Sequence, residues 1–289
     1  MTSVRTVARR AADPVLTRIA HRAAALTPRP VAEPPDDVTV ELLHGPAARL
    51  NDRRVTRGQM ADLAAQVAAV AGVEDPAPHL AQAYRLLAHL ESGGIGRLAG
   101  TTSNILGKLT TAPLLLGAGP QARVLEIGTL FGLFAAGLHR QLLRYGREHS
   151  LVVVDPLEAV QLQPERPRAT DPSGTPVTES TVRANLRFAG VDPAAVTVHR
   201  GVSTDPAVRG TVGGPYDLVV IDGDHSREGV AADLAWVETI AAPGAVVVMD
   251  DYGDPGWPGV SQALDDHLAA GSSMQFLGAV STSAFLRMP

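Results

Sequence analysis

From residue 122 onward, short unbroken apolar runs alternate with stretches whose apolar residues recur every three or four positions. The runs are VLEI (124–127), LVVVD (151–155), VTVHR (196–200), YDLVVID (216–222) and AVVVMD (245–250). Short β-branched runs without polar alternation fit strands buried on both faces. Helical spacing fills the gaps at 132–145, 178–189, 227–241 and 259–269. Strands alternating with helices predict an α/β fold, a mostly parallel, doubly wound sheet covered on both sides. The tail, QFLGAV then SAFLRM, reads as two further strands joined by a short turn, an antiparallel C-terminal edge that brings the sheet to seven strands.

Upstream the pattern is purely helical. Three helices are predicted over 57–72, 79–92 and 103–116; the first stops at Gly72 and the second at Gly93-Gly94, and the third leads into the turn GAGPQA. Residues 28–36, PRPVAEPPD, hold four prolines in nine positions and should be extended. No internal repeat occurs. The chain therefore divides into an N-terminal arm (1–55, partly disordered or extended), a helical N-terminal region (56–120) and an α/β domain (121–289).

Composition narrows the functional classes. The 289 residues carry 25 basic and 30 acidic side chains, a formal charge of −5, so there is no electrostatic footprint for nucleic acid. The absence of cysteine excludes disulfides, thiolate zinc sites, iron–sulfur clusters and cysteine nucleophiles. No apolar run approaches the roughly 20 residues of a membrane span. Residues 1–30 hold six arginines against one acid, Asp13, but lack the apolar centre of a secretory signal, and a solvated or partner-bound arm is expected. Arginine supplies every basic residue except Lys108, as in a GC-rich coding sequence. A cytoplasmic location is the expectation.

In an open parallel sheet, ligands sit beyond the carboxyl ends of the strands, so the residues closing each strand carry the chemistry. The first closes as Glu126-Ile127-Gly128-Thr129-Leu130-Phe131-Gly132. Gly128 allows a sharp turn and close approach of a ligand. A dinucleotide fingerprint would need glycines at 130 and 133, both of which are leucine, and Glu126 suits a cationic ligand better than a pyrophosphate. Asp155 closes the second strand, where a carboxylate can accept ribose hydroxyls. Gly201-Val202-Ser203 follows the third, a small polar turn suited to an adenine. The fourth ends in Asp222-Gly223-Asp224-His225 and the fifth in Asp250-Asp251. Carboxylates at neighbouring strand mouths repel unless protons or a cation compensate them, and oxygen donors without thiolates favour Mg²⁺ or another hard divalent ion. A structural alternative stands beside this: Asp222 bonds a loop or caps a helix, and Asp250-Asp251 merely open a turn.

In order, VLEIGTLFG, VVVDP and YDLVVIDGDH resemble the core motifs of class I S-adenosylmethionine-dependent methyltransferases, over residues 121–289. The resemblance implies a Rossmann-like sheet and S-adenosylmethionine as cofactor. On it, Glu126 faces the methionine amino group and Gly128 gives backbone approach. Thr129 and Asp222 join the cofactor set, Asp155 binds the ribose, Ser203 lies near the adenine, and Ser103 and Asn104 touch the cofactor from upstream. An Asp at the end of strand four with Asp-Asp at the end of strand five resembles the metal pattern of catechol-type and macrocin/sugar O-methyltransferases. That pattern makes Asp222, Asp250 and Asp251 ligands of Mg²⁺. The segments DGDHSREG and DDYGDPGWPGV resemble the bacterial branch acting on natural-product sugars.

The sulfonium is an activated donor, so such an enzyme must align the acceptor hydroxyl and deprotonate it. A bound Mg²⁺ would lower the hydroxyl's pKa, with Asp224 or His225 as base. The resemblance favours Asp224, whereas His225 has the better ordinary pKa. Trp257 is a candidate substrate wall, or equally a loop anchor, and the polar loop 161–177 a candidate cover. The expected partner is a small hydroxylated molecule, with no nucleic acid and no membrane, and the helices at 57–116 suit either an active-site roof or pairing of two copies. Two alternatives stay open: a metal-independent methyltransferase on another small acceptor, and a non-catalytic S-adenosylmethionine-binding protein.

Overall fold

The computed structural model describes residues 55–158 and 175–289. The predicted N-terminal arm lies outside the described residues, apart from its last position, and so does most of the predicted cover at 161–177. Three helices come first: α1 (Arg57–Ala71), α2 (Ala77–Gly93) and α3 (Thr102–Leu116). Thr56 and Gln59 close a reciprocal capping box on α1, and Gly72 ends it in the left-handed conformation. Thr101 caps α3 by accepting from the Asn104 N–H at 3.2 Å. Pro113 inside α3 cannot donate to the Leu109 carbonyl. The Gln141 side-chain amide does so instead, at 3.3 Å, and the helix continues.

The α/β part follows as β1 (Ala122–Ile127), α4 (Leu133–Arg144), β2 (His149–Asp155), α5 (Glu179–Phe188), β3 (Val196–Arg200), α6 (Pro206–Val212), β4 (Tyr216–Ile221), α7 (Arg227–Ile240), β5 (Ala241–Asp250), α8 (Pro258–Ala269), β6 (Gln275–Val280) and β7 (Ser283–Arg287). All seven predicted strands form. The short α6 is an element the spacing did not predict; Asp205 as cap and Pro206 at the first position are its local signals.

The sheet order is β3-β2-β1-β4-β5-β7-β6, with the first five strands parallel and β7 antiparallel between β5 and β6. Successive residues of the central strands serve opposite faces. Val124, Val153, Val220 and Val248 pack with α1–α5, while Leu125, Val154, Val219 and Val247 pack with α7 and α8. Every one of these is less than 2% exposed, which is why the runs are apolar without alternation. No helix among the described residues is long and apolar enough to cross a membrane.

Register sets the site. Ile127 pairs with Val154 on one side and Ile221 on the other, and Ile221 pairs with Met249. Asp155, Gly128, Asp222 and Asp250, the next residues along, therefore emerge in one row where the strand order reverses direction, between β1 and β4.

Candidate active site

Glu126, at the end of β1, is 2% exposed. Its carboxyl accepts a short hydrogen bond from the Thr129 hydroxyl, and no basic side chain among the described residues pairs with it. Burial pushes its pKa up to about 8; the Thr129 bond opposes this, and the Asp222 and Asp155 charges add to it. A buried carboxyl held neutral in this way fits a cationic group such as an amino group.

The turn after β1 is built around two neighbours. Gly128 has φ +81°, and a Cβ there would stand 2.0 Å from the Asp222 carbonyl oxygen. Its smoothness admits the neighbouring strand end, a reason the sequence did not reveal. Leu130 has φ +52°, the conformation a fingerprint glycine adopts without strain. Asp155 clamps this turn: one carboxylate oxygen accepts from the N–H groups of Thr129 (2.7 Å) and Leu130 (3.1 Å), the other from that of Leu157 (2.7 Å). Much of its accepting capacity is thus spent on the backbone rather than held open for a ribose. Ser203 is buried after β3; its carbonyl accepts from Arg209 at 2.5 Å and its hydroxyl bonds Asp233. Ser103 is partly exposed on the first turn of α3.

The second cluster lies at the ends of β4 and β5. His225 stands between two carboxylates, with Nε2 3.5 Å from Asp222 and Nδ1 3.4 Å from Asp251. The Trp257 ring meets it edge-on at 4.7 Å between centroids, which makes Trp257 a wall of this cluster. Burial alone would lower the His225 pKa, but the Asp222 bond and the charges of Asp222, Asp251 and Asp250 raise it. Burial, reinforced by Asp250 and Asp222, pushes Asp251 up to about 7. Asp251 also holds φ +56°, a strained position for a side chain aimed at the cluster.

Asp224, the other candidate base, lies just ahead of α7. Its carboxylate turns away over the start of α7, where it accepts from the Ser226 N–H at 2.7 Å, and a Cβ on Gly229 would lie 2.2 Å from its other oxygen. This bond forms a local turn just ahead of α7, whose cap is Ser226: the Ser226 hydroxyl accepts from the Gly229 N–H at 3.0 Å.

Asp250, the third expected metal ligand, is held by side chains from α3 and β7. The Asp250 carboxylate accepts from Asn104 at 2.7 Å and Ser283 at 2.9 Å on one oxygen, and from the Lys108 ammonium, in a short contact, on the other. Lys108 Nζ lies 3.4 Å from Asp222 and 4.8 Å from the centre of the Phe134 ring. Burial opposes the charge of Lys108, yet Asp250 and Asp222 together raise its pKa. Burial likewise opposes ionisation of Asp250, yet Lys108 and the hydrogen bonds hold its carboxyl far below the ordinary range. Among the described residues, the donor atoms that approach within 4.8 Å of one another come from Asp222, His225 and Asp251. That set mixes oxygen with imidazole nitrogen and has an ammonium against one of its carboxylates. It does not fit the three-aspartate, all-oxygen centre expected for Mg²⁺.

Residues 125–252 match the family Methyltransf_24, described as a methyltransferase domain. The match covers less than half of the chain, and over these residues the chain is similar to that family. The matched stretch spans β1 to just past β5 and so contains every strand end described above. The curated catechol O-methyltransferase of Mycobacterium tuberculosis (strain ATCC 25618 / H37Rv) is 34% identical over 168 residues, 57% of this chain and 64% of that protein. The chain thus spans just under two thirds of that relative's length. The solved O-methyltransferase NovP superposes with a TM-score of 0.50 at 18% identity, over 80% of this chain and 99% of that one. The mostly parallel seven-stranded sheet with an antiparallel edge, predicted from the strand runs, is the fold, and NovP shares it.

Lys108 is the functional candidate that strand-end reasoning missed. Its signal was compositional: it is the chain's single lysine, against 25 basic residues in all.

Proposed function

We propose that the protein is an S-adenosylmethionine-dependent O-methyltransferase acting on a hydroxyl of a small molecule. The observation that carries this reading is the pairing of an uncompensated buried acid, Glu126, with a carboxylate-flanked imidazole, His225, on adjacent strand ends. Glu126 would hold the cofactor's amino group. The turn clamped by Asp155, with Thr129, would hold the nucleoside, and Ser203 would line the adenine. When bound, the cofactor supplies a sulfonium methyl already activated for transfer. The chain's own task is then to align the acceptor oxygen and take its proton.

His225 takes that role: Asp222 and Asp251 fix its ring and stabilise the imidazolium formed as the proton arrives. Its raised pKa leaves the imidazole protonated further toward neutrality than usual, so the reaction should quicken as pH rises through neutrality. For the acceptor, a sugar of a secondary metabolite is the class suggested by the DGDHSREG and DDYGDPGWPGV segments. The relative's name brings in catechols as a second class. The proposal also takes in a cytoplasmic location and pairing of two copies through the helices at 57–116.

The test is methyl transfer from labelled cofactor to panels of catechols and hydroxylated glycosides. His225→Ala should lower kcat by about 10²- to 10⁴-fold with cofactor affinity within a few-fold, the usual contribution of a positioned base. Unchanged turnover in that variant, or failure of the wild type to bind S-adenosylmethionine, would overturn the reading.

A further inference from the structure

Three acidic side chains meet at the mouths of β4 and β5, and the fold must compensate them. The structure does so from a helix distant in sequence. Asn104 and Lys108 lie four residues apart, on one face of α3, and both reach Asp250. The Lys108 side chain is 2% exposed and that of Asp250 6%, so neither charge is solvated and each depends on the other. The same ammonium spans to Asp222, on the neighbouring strand. On the far side, His225 links Asp222 to Asp251. The Lys108 ammonium and the His225 ring thus tie three acidic side chains from two strands into one array.

We propose that the Lys108 ammonium is the built-in cation of this site, occupying the role a divalent ion would otherwise play, so that the protein works without a metal. The functional half of this proposal rests on the methyl-transfer reading, and the ion-binding half stands on geometry alone. Both oxygens of Asp250 are already engaged: one accepts from Asn104 and Ser283, the other from Lys108. An ion on Asp222 would sit against an ammonium 3.4 Å from that carboxylate. The choice of residue points the same way. Wherever else this chain uses a basic side chain it uses arginine; here it keeps a lysine, a compact point charge set between two carboxylates. The Phe134 ring beneath the ammonium closes the remaining side with apolar surface. Lys108 is a positioning residue: it holds Asp222 and Asp250, and through Asp222 it orients His225.

The experiment titrates Mg²⁺ and Mn²⁺ into the full-length, chelator-treated protein by calorimetry and follows thermal unfolding with and without each ion. The wild type should show no saturable binding at micromolar ion and no shift in unfolding, and its methyl transfer should be unchanged by excess EDTA. Lys108→Met, which leaves the carboxylates uncompensated, should gain saturable ion binding and an ion-dependent rise in unfolding temperature, which a merely structural lysine would not confer. A wild type that binds one ion tightly and loses that binding in Asp251→Asn overturns the proposal. So does a Lys108→Met protein that folds yet ignores both ions. Should that variant fail to fold, the wild-type titration still decides. Failure to bind S-adenosylmethionine would sink the methyl-transfer reading while leaving the ion titration fully interpretable.

Discussion

Glu126 is the residue at which folding and function pull in opposite directions. In the free protein its carboxyl is buried beside Thr129 with no cation to pair with, and its pKa stands at about 8. At neutral pH it is therefore mostly protonated, whereas an arriving amino group would favour the carboxylate. Cofactor binding near pH 7 should accordingly release protons, visible as an enthalpy that changes with the ionisation heat of the buffer. Glu126→Gln keeps the shape and removes the charge. Its free form should be the more stable at pH 8.5 and above, where the wild type must ionise a buried acid. Its affinity for S-adenosylmethionine should fall roughly 10- to 100-fold, the loss of one charge-assisted bond of about 1.5–3 kcal/mol. Calorimetry reads both, and a variant that binds as tightly as the wild type removes Glu126 from the site.

At the scale of elements, α3 determines whether the strand-end charges are balanced. It lies close to β6, because Gly107 faces Val280: a Cβ there would stand 3.0 Å from the Val280 side chain and 3.4 Å from its carbonyl oxygen. Gly107→Val should wedge the helix outward and destabilise the protein by about 1–3 kcal/mol, the usual result of overpacking. Gly58, in α1, has nothing nearer than the Thr56 hydroxyl at 3.9 Å, so Gly58→Ala should instead stabilise by about 0.5–1 kcal/mol through backbone entropy. Denaturant melts of the two variants should move in opposite directions, and equal shifts would contradict the close packing of α3. The helix itself was legible in the sequence, its ends lying within one residue of the spacing over 103–116. Its chemistry was not. Hydrophobic spacing reports which face is buried, and Lys108 is buried on that face as a charge, with partners 114 and 142 residues further along the chain.

For the molecule as a whole, the strands were legible because each is buried on both faces and so is written in apolar residues, and parallel pairing places their closing residues at one end. That logic brought Gly128, Asp155, Asp222 and Asp250 into one row, with Glu126 just before it on β1. It did not reveal which side chains the row spends on itself: the Asp155 clamp on the β1 turn and the Lys108 link arise from tertiary geometry. The same charges shape stability against pH. Glu126 at about 8, Asp251 at about 7 and Asp233 at about 6 all stand above their ordinary values, so the folded free protein retains protons that the unfolded chain has released. Stability from these groups is complete below about pH 4 and is lost as pH rises through 6 to 8, at up to about 1.4 kcal/mol per pH unit for each group. Raised His225 acts in the same direction, its contribution present below its ordinary value and lost as it deprotonates. Asp250, held low by Lys108, acts in the opposite direction, and its contribution disappears in acid as pH falls below the ordinary aspartate value. The free protein should therefore melt at a higher temperature at pH 6 than at pH 8.5. Saturating S-adenosylmethionine should flatten that slope, because a bound amino group keeps Glu126 ionised at no cost above pH 6. Melting curves at the two pH values, with and without cofactor, test both statements; a free protein more stable at pH 8.5 than at pH 6 would mean that these acids are solvated and the row is open to water.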